Sequence, residues 1–123
     1  MPISNKPKHI FEPNPLACGQ AVLAMVSDTD IEEIFNLVGT KKETTLNDMK
    51  NALKALNISI SQHRLQADKK SHLPQIALLS LETPHCWHWS LYFKGTFFDP
   101  EYGELEDFPP SKRRYFWELK GNE

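Results

Sequence analysis

The stretch that most limits what this chain can fold into is Pro13-Asn14-Pro15-Leu16-Ala17-Cys18-Gly19-Gln20-Ala21-Val22-Leu23-Ala24-Met25-Val26. Pro13 and Pro15 have a fixed φ and no N–H, so they keep the approach extended and disfavour helix before Leu16. A helix is therefore expected to begin close to Cys18. Behind it, Val22, Leu23, Met25 and Val26, with Ala21 and Ala24 between them, leave almost no polar face, which predicts a helix buried on most sides. A thiol at the mouth of such a helix meets unpaired backbone N–H groups and the positive end of the helix dipole, and both favour thiolate over thiol. That is where a nucleophile would be built.

The periodicities that follow are helical first and extended afterwards. Asp28-Thr29-Asp30 offers an N-cap, and Ile31, Ile34, Phe35 and Val38 repeat at helical spacing until Gly39 stops the turn. After a polar loop, Thr40 to Glu43, Thr45 and Asp48 resemble a capping box. Leu46, Met49, Leu53 and Leu56 then predict a third amphipathic helix ending near Asn57. Ile58 to Ser61 alternates as a short strand, and Gln62 to His72 reads as a loop or an irregular edge strand. From Pro74 the pattern is extended: a strand over Ile76 to Leu81, a hairpin of His88 to Phe93 with Thr96 to Asp99 across Lys94-Gly95, and a last strand over Tyr115 to Leu119. Tyr102-Gly103 and Pro109-Pro110 mark loops between them. Helices followed by an antiparallel sheet predict an α+β layout, with residues 1–123 as a single domain and residues 1–16 as an extended proline-rich arm.

Charge and composition narrow the function. A net charge of −2 over 123 residues supplies no basic field, so no nucleic-acid partner is expected, and Lys112-Arg113-Arg114 reads as a solvated edge. No apolar run reaches the length of a membrane span, so no membrane insertion is expected. Met1 to His9 lacks the apolar core of a secretory signal, which points to a cytoplasmic location, export without a cleavable signal being the alternative. In that reducing compartment both cysteines are expected as free thiols.

Three residues carry the chemistry. Cys18 opens a helix, His88 opens a strand, and Asp99 ends that strand's hairpin partner, which brings His88 and Asp99 near each other at the open end of the hairpin. A carboxylate beside an imidazole holds the ring and stabilises the imidazolium, which in turn stabilises a thiolate. His85 is the rival base, but the apolar strand begins directly after His88. Trp87 and Trp89 are placed either as walls of a cleft or as core aromatics. His85-Cys86-Trp87-His88 has no second ligand pair at zinc spacing, so neither metal nor cofactor is expected.

Asn14-Pro15-Leu16-Ala17-Cys18-Gly19-Gln20-Ala21, Thr45 to Leu53, and His88-Trp89-Ser90-Leu91-Tyr92-Phe93 followed by Asp99-Pro100-Glu101-Tyr102-Gly103 resemble papain-like cysteine peptidases, nearest to the bacteriocin-processing branch that cleaves leader peptides. The resemblance implies a cysteine-bearing helix packed on an antiparallel sheet, with Cys18 as nucleophile, His88 as general base and acid, Asp99 as orienter, and a peptide or protein substrate. Such enzymes place a glutamine ahead of the cysteine to donate to the oxyanion; here that position is Glu12. An ionised carboxylate only accepts hydrogen bonds and would oppose a developing oxyanion. Either Glu12 is protonated, or the donor is the Cys18 N–H with another group such as Asn14, or catalysis is impaired; Gln20, inside the helix, is a poorer donor. With Trp87 as a substrate-binding residue, the expected function is a cysteine hydrolase, peptidase or amidase, working through a thioester. The alternatives are a protein-glutamine deamidase or acyl transferase using the same triad, and a catalytically inactive peptide-binding module.

Overall fold

The computed structural model describes residues 6–121, so residues 1–5 of the expected arm lie outside the described part. The described arm runs without regular structure to α1 (Cys18–Ser27), followed by α2 (Ile31–Val38) and α3 (Leu46–Ala55). The strands come next: β1 (Ile58–Ile60), β2 (Leu65–Gln66), β3 (Ile76–Glu82), β4 (Trp87–Phe93), β5 (Thr96–Asp99), β6 (Gly103–Leu105) and β7 (Arg114–Gly121). They form a seven-stranded sheet in the order β1-β7-β3-β4-β5-β6, with β2 also pairing β7. Every pairing is antiparallel. Three N-terminal helices on a C-terminal antiparallel sheet make the α+β architecture expected from the sequence.

Local chemistry explains where the helices stop and start. The Asp30 carboxylate accepts the Glu32 N–H to open α2, and Gly39 closes it at φ 85°, its N–H donating to the Phe35 carbonyl. Thr45 and Asp48 form a reciprocal capping box at the start of α3. In α1 every residue from Cys18 to Val26 is buried. The helix packs between α2, α3 and β4, and its side chains share a core with Ile34, Met49, Leu53, Leu78, Leu91, Phe98 and Trp117. The opposite face of the sheet buries Ala77, Leu79, Leu81, Tyr92, Phe97 and Phe116 under Leu73, Leu105 and Phe108.

The β4–β5 hairpin turns at Lys94 (φ 43°) and Gly95 (φ 99°), a pair of left-handed residues whose twist suits a two-residue connection. That turn fixes the register of Leu91 opposite Phe98 and Tyr92 opposite Phe97. Continued outward, it sets Asp99 across from Ser90 and two residues from His88, on one face of the sheet.

The strand endings differ from the sequence reading at Gly103, while the segment expected as a loop or irregular edge strand supplies a two-residue strand. Gly103 begins β6 rather than a loop: at φ 92° it turns the chain back so that Gly103–Leu105 pairs with Phe97–Asp99. The polar segment before β3 contributes two residues, Leu65 and Gln66, to the edge beside β7. Both pieces are too short to show an alternation of apolar and polar residues.

Gly19 is required by close approach. A Cβ there would collide with the Thr44 hydroxyl and lie 3.0 Å from the Met49 sulfur and 3.1 Å from Trp89 Cδ1. We expect Gly19→Ala to lower stability by about 1–3 kcal/mol, the usual cost of overpacking a tight core. A denaturant melt checks this; an unchanged midpoint would mean that the Thr44 loop gives way without cost.

Candidate active site

Cys18 stands at the first turn of α1, where its backbone N–H has no intrahelical acceptor. Its sulfur accepts the Trp89 backbone N–H at 3.4 Å, so the helix mouth is seated against the start of β4. The side chain is 8% exposed and opens onto a cleft of about 260 Å³ whose lining includes Pro15, Leu16, Thr44, Trp87, His88 and Trp89. Trp89 is held there by donation from its Nε1 to the Thr44 carbonyl at 3.2 Å. Gln20 faces away from the cleft, its amide donating to the carbonyls of Thr40 (2.9 Å) and Lys42 (2.7 Å), so it anchors the loop between α2 and α3.

His88 is buried, and its Nε2 lies 2.9 Å from Asp99 Oδ1. Asp99 is fully buried and accepts three further bonds: from the Ser90 hydroxyl (2.7 Å) and from the N–H groups of Glu101 and Tyr102 (2.9 Å each). The two N–H bonds are the turn that an Asp-Pro sequence favours, so Asp99 shapes the β5–β6 connection and orients His88 with the same carboxylate. Burial alone would raise the Asp99 carboxyl; the hydrogen bond and charge of His88, the Ser90 hydroxyl and the Tyr102 N–H outweigh it and hold the group below its ordinary value.

Burial likewise pushes the His88 imidazole down, but hydrogen bonds to Asp99 and to Cys18, with their charges, lift it to about 10. With Nε2 engaged by Asp99, Nδ1 is the nitrogen left for the sulfur. Imidazole and carboxylate are therefore hydrogen-bonded to each other, and Cys18 and His88 line the same cleft. An imidazolium held by a carboxylate beside a thiol can support a thiolate and later give its proton to a leaving group.

The other expected residues fall into place around this chain. His85 is exposed on the β3–β4 turn, and His88 is the ring that meets Cys18 and Asp99. Trp87 is 49% exposed at the rim of the cleft, stacked on Tyr115 at 6.1 Å. Asn14 donates to the Lys41 carbonyl (3.1 Å) and accepts the Leu16 N–H (2.9 Å), which braces the approach to α1. Glu12 is held by its N–H to the Pro100 carbonyl (2.9 Å), and its Oε1 lies 4.0 Å from His88 Nδ1. Ser90 is the site residue that the sequence reading missed; its signal is its place two residues after His88, on the same face of β4.

Cys18 and Cys86 are both free. Among the described residues no cluster of His, Cys, Asp or Glu suited to a metal ion occurs, and no helix is long and apolar enough to cross a membrane.

Because the His88 value is raised, the stability contributed by its imidazolium is complete below the ordinary 6.5 and is lost as pH rises to about 10. In Asp99→Asn the ring nitrogens, followed by 15N NMR, are expected to titrate at a clearly lower pH than in the parent, and Asp99→Ala to cost about 3–5 kcal/mol by stranding buried donors. A ring titration indifferent to Asp99→Asn would remove Asp99 as the orienting group.

No protein-family model and no curated protein matches the chain. Among solved structures it is similar to a double glycine motif protease from an AMS/PCAT transporter, in complex with the leader peptide. The two share 16% identity and a TM-score of 0.67, over 98% of each chain. A superposition that spans both chains while so few residues coincide is a likeness of fold, and the fold is that of a papain-like, double-glycine-type cysteine peptidase.

Proposed function

We propose that this chain is a cysteine hydrolase, a peptidase or amidase, that acts on a peptide or protein through a thioester at Cys18. The observation that carries the reading is that Cys18 shares one cleft with His88, whose ring is hydrogen-bonded to the buried Asp99 carboxylate. In this mechanism the Cys18 sulfur attacks the carbonyl carbon while His88 holds the proton on Nδ1. Collapse of the tetrahedral intermediate expels the amine, which takes that proton from His88. Water, activated by the now neutral imidazole, then releases the acyl group. Asp99 keeps the ring aligned and balances its charge throughout.

A peptide fits this cleft for two reasons. Trp87 at the rim and Trp89 and Leu16 on its walls present apolar surface, and the solved protein of the same fold holds a leader peptide. The same thioester chemistry on a glutamine side chain would make the chain a deamidase or acyl transferase. A binding module without turnover is the competing reading, and the carboxylate at Glu12 is the observation that favours it. We take residues 1–123 as one catalytic unit suited to the cytosol, where its thiols stay reduced.

The test is alkylation by iodoacetamide at about pH 6, where an ordinary thiol of pKa about 8.5 is almost wholly protonated. Read by mass spectrometry, Cys18 should react at least about tenfold faster than Cys86 in the same molecule, and His88→Ala should abolish the difference while His85→Ala leaves it. Cys18→Ala should abolish peptide hydrolysis and leave the melt nearly unchanged, since removing one sulfur leaves only a small void. A Cys18 no more reactive than Cys86 and indifferent to both histidines would make the binding module the better reading.

A further inference from the structure

The cleft beside Cys18 does not end at Trp87. Ser80 lines it next to Trp89, and β3 holds Ser80 in register with Trp89 on one side and with Tyr115 of β7 on the other, so one face of the sheet runs from the cleft to Tyr115. Trp87 at the rim stacks on Tyr115, the two rings 21° from parallel. Beyond it the Arg64 guanidinium lies over the Tyr115 ring, 3.9 Å from its centre. The pairing of β2 sets that placement: Gln66 is opposite Tyr115, and Arg64, two residues earlier, shares the face of Gln66. An indole, a phenol ring and a guanidinium therefore form one shelf that leads out of the cleft.

The charges along the shelf do not balance. Arg113, over the Trp87 ring at 5.3 Å, is neutralised by Glu82, whose carboxylate accepts from its Nε at 2.9 Å and its Nη2 at 3.2 Å. Lys112 adds a second positive charge beside Glu82. Arg114 lies over Phe108 on the other face of the sheet and donates to the Ser111 hydroxyl and the Asp68 carbonyl. Arg64 is exposed, and no carboxylate among the described residues pairs with it. A planar guanidinium held against an aromatic ring offers a fork of N–H donors that matches a carboxylate. The lining of the cleft itself carries a carboxylate, Glu43, so a negative substrate side chain is disfavoured beside the sulfur and favoured at the far end of the shelf.

We propose that the shelf of Trp87, Tyr115 and Arg64 is a specificity subsite for peptides that carry an aspartate or glutamate a few residues from the bond attacked by Cys18. This rests on the thioester reading above and names the substrate class for that site. Tyr115 is two strand spacings, about 10 Å, from Trp89, whose N–H seats the Cys18 sulfur. An extended peptide covers that span in about three residues, and Arg64 stands one ring further on, which sets the acidic residue about three to five positions from the reacting carbonyl. Trp87 and Tyr115 take the apolar stems of the intervening side chains, and the carboxylate closes two parallel N–H···O bonds with Arg64. The pair stays at the surface, so its contribution is modest and falls with salt.

Binding is separated from turnover by incubating the Cys18→Ala protein with a pool of random dodecapeptides and sequencing the retained ones by mass spectrometry. Asp and Glu should be enriched about fivefold over Asn and Gln, the scale of an exposed ion pair, and the enrichment should fade in about 0.5 M salt. Adding Arg64→Gln should abolish it, and adding Arg64→Glu should replace it with enrichment of Lys and Arg. Arg64 is exposed, so neither change should move the melt. In the parent, products cut from the same pool align on the broken bond and should place the acidic residue about three to five positions from it, on one side.

Retained peptides with no excess of Asp and Glu, or with an excess that survives Arg64→Gln, overturn the proposal. If the parent is acylated at Cys18 and cuts the pool without an acidic preference, only the subsite fails. If acidic peptides are retained through Arg64 while Cys18 is neither acylated nor able to cut them, the thioester reading fails and the shelf stands as the recognition site of a binding module. A pool that is neither retained nor cut overturns both.

Discussion

Four donors converge on the buried carboxylate of Asp99, and the rest of the site depends on that convergence. A carboxylate removed from water is tolerated only when its lone pairs are filled, and here strand, turn and the His88 ring each fill one or more. The β5–β6 turn is closed by the same oxygen that orients His88, so an error in the hairpin would strand a buried charge. The two left-handed residues at Lys94 and Gly95 set that register from the far end of the hairpin. Structural and chemical roles cannot be separated at Asp99, because the bonds that shape the turn also keep the anion ionised beside the imidazole.

The cysteine is positioned by a different device, apolar burial. α1 has no side-chain cap, and burial of its whole length between α2, α3 and β4 holds it where it is. Gly19 lets the Thr44 loop and Trp89 close over the first turn, while Gln20 anchors the preceding loop through two carbonyls. The sulfur is then seated on the Trp89 N–H, one residue beyond His88. A packed helix positions the Cys18 thiol and a hydrogen-bonded hairpin positions the His88 imidazole, and both line the same cleft.

Much of this was legible in the sequence because the features involved are local. Prolines followed by an unbroken apolar run placed the start of α1, the Asp30 and Thr45 caps placed α2 and α3, and Lys94-Gly95 placed the hairpin that unites His88 with Asp99. What escaped depends on tertiary partners. β6 is three residues of edge strand defined only by pairing with β5. Ser90 had no sequence signal apart from its parity with His88. Asn14 and Gln20 carry amides suited to an oxyanion, but both amides are turned to loop carbonyls, a choice set by the path of residues 40–42. At Glu12 the residue type alone suggests obstruction; its place, with Oε1 buried 4.0 Å from His88 Nδ1, is set by the path of the arm and had no sequence signal.

In the proposed mechanism Cys18 forms a covalent acyl intermediate with the help of His88. The most direct measurement is the intact mass of the protein quenched in acid after brief exposure to a peptide ester, followed by mapping of the adduct. A single acyl group is expected on Cys18, released by hydroxylamine as a thioester is, formed slowly or not at all in His88→Ala and absent from Cys18→Ala. An adduct on Cys86, or no adduct at all from a folded protein, would contradict it.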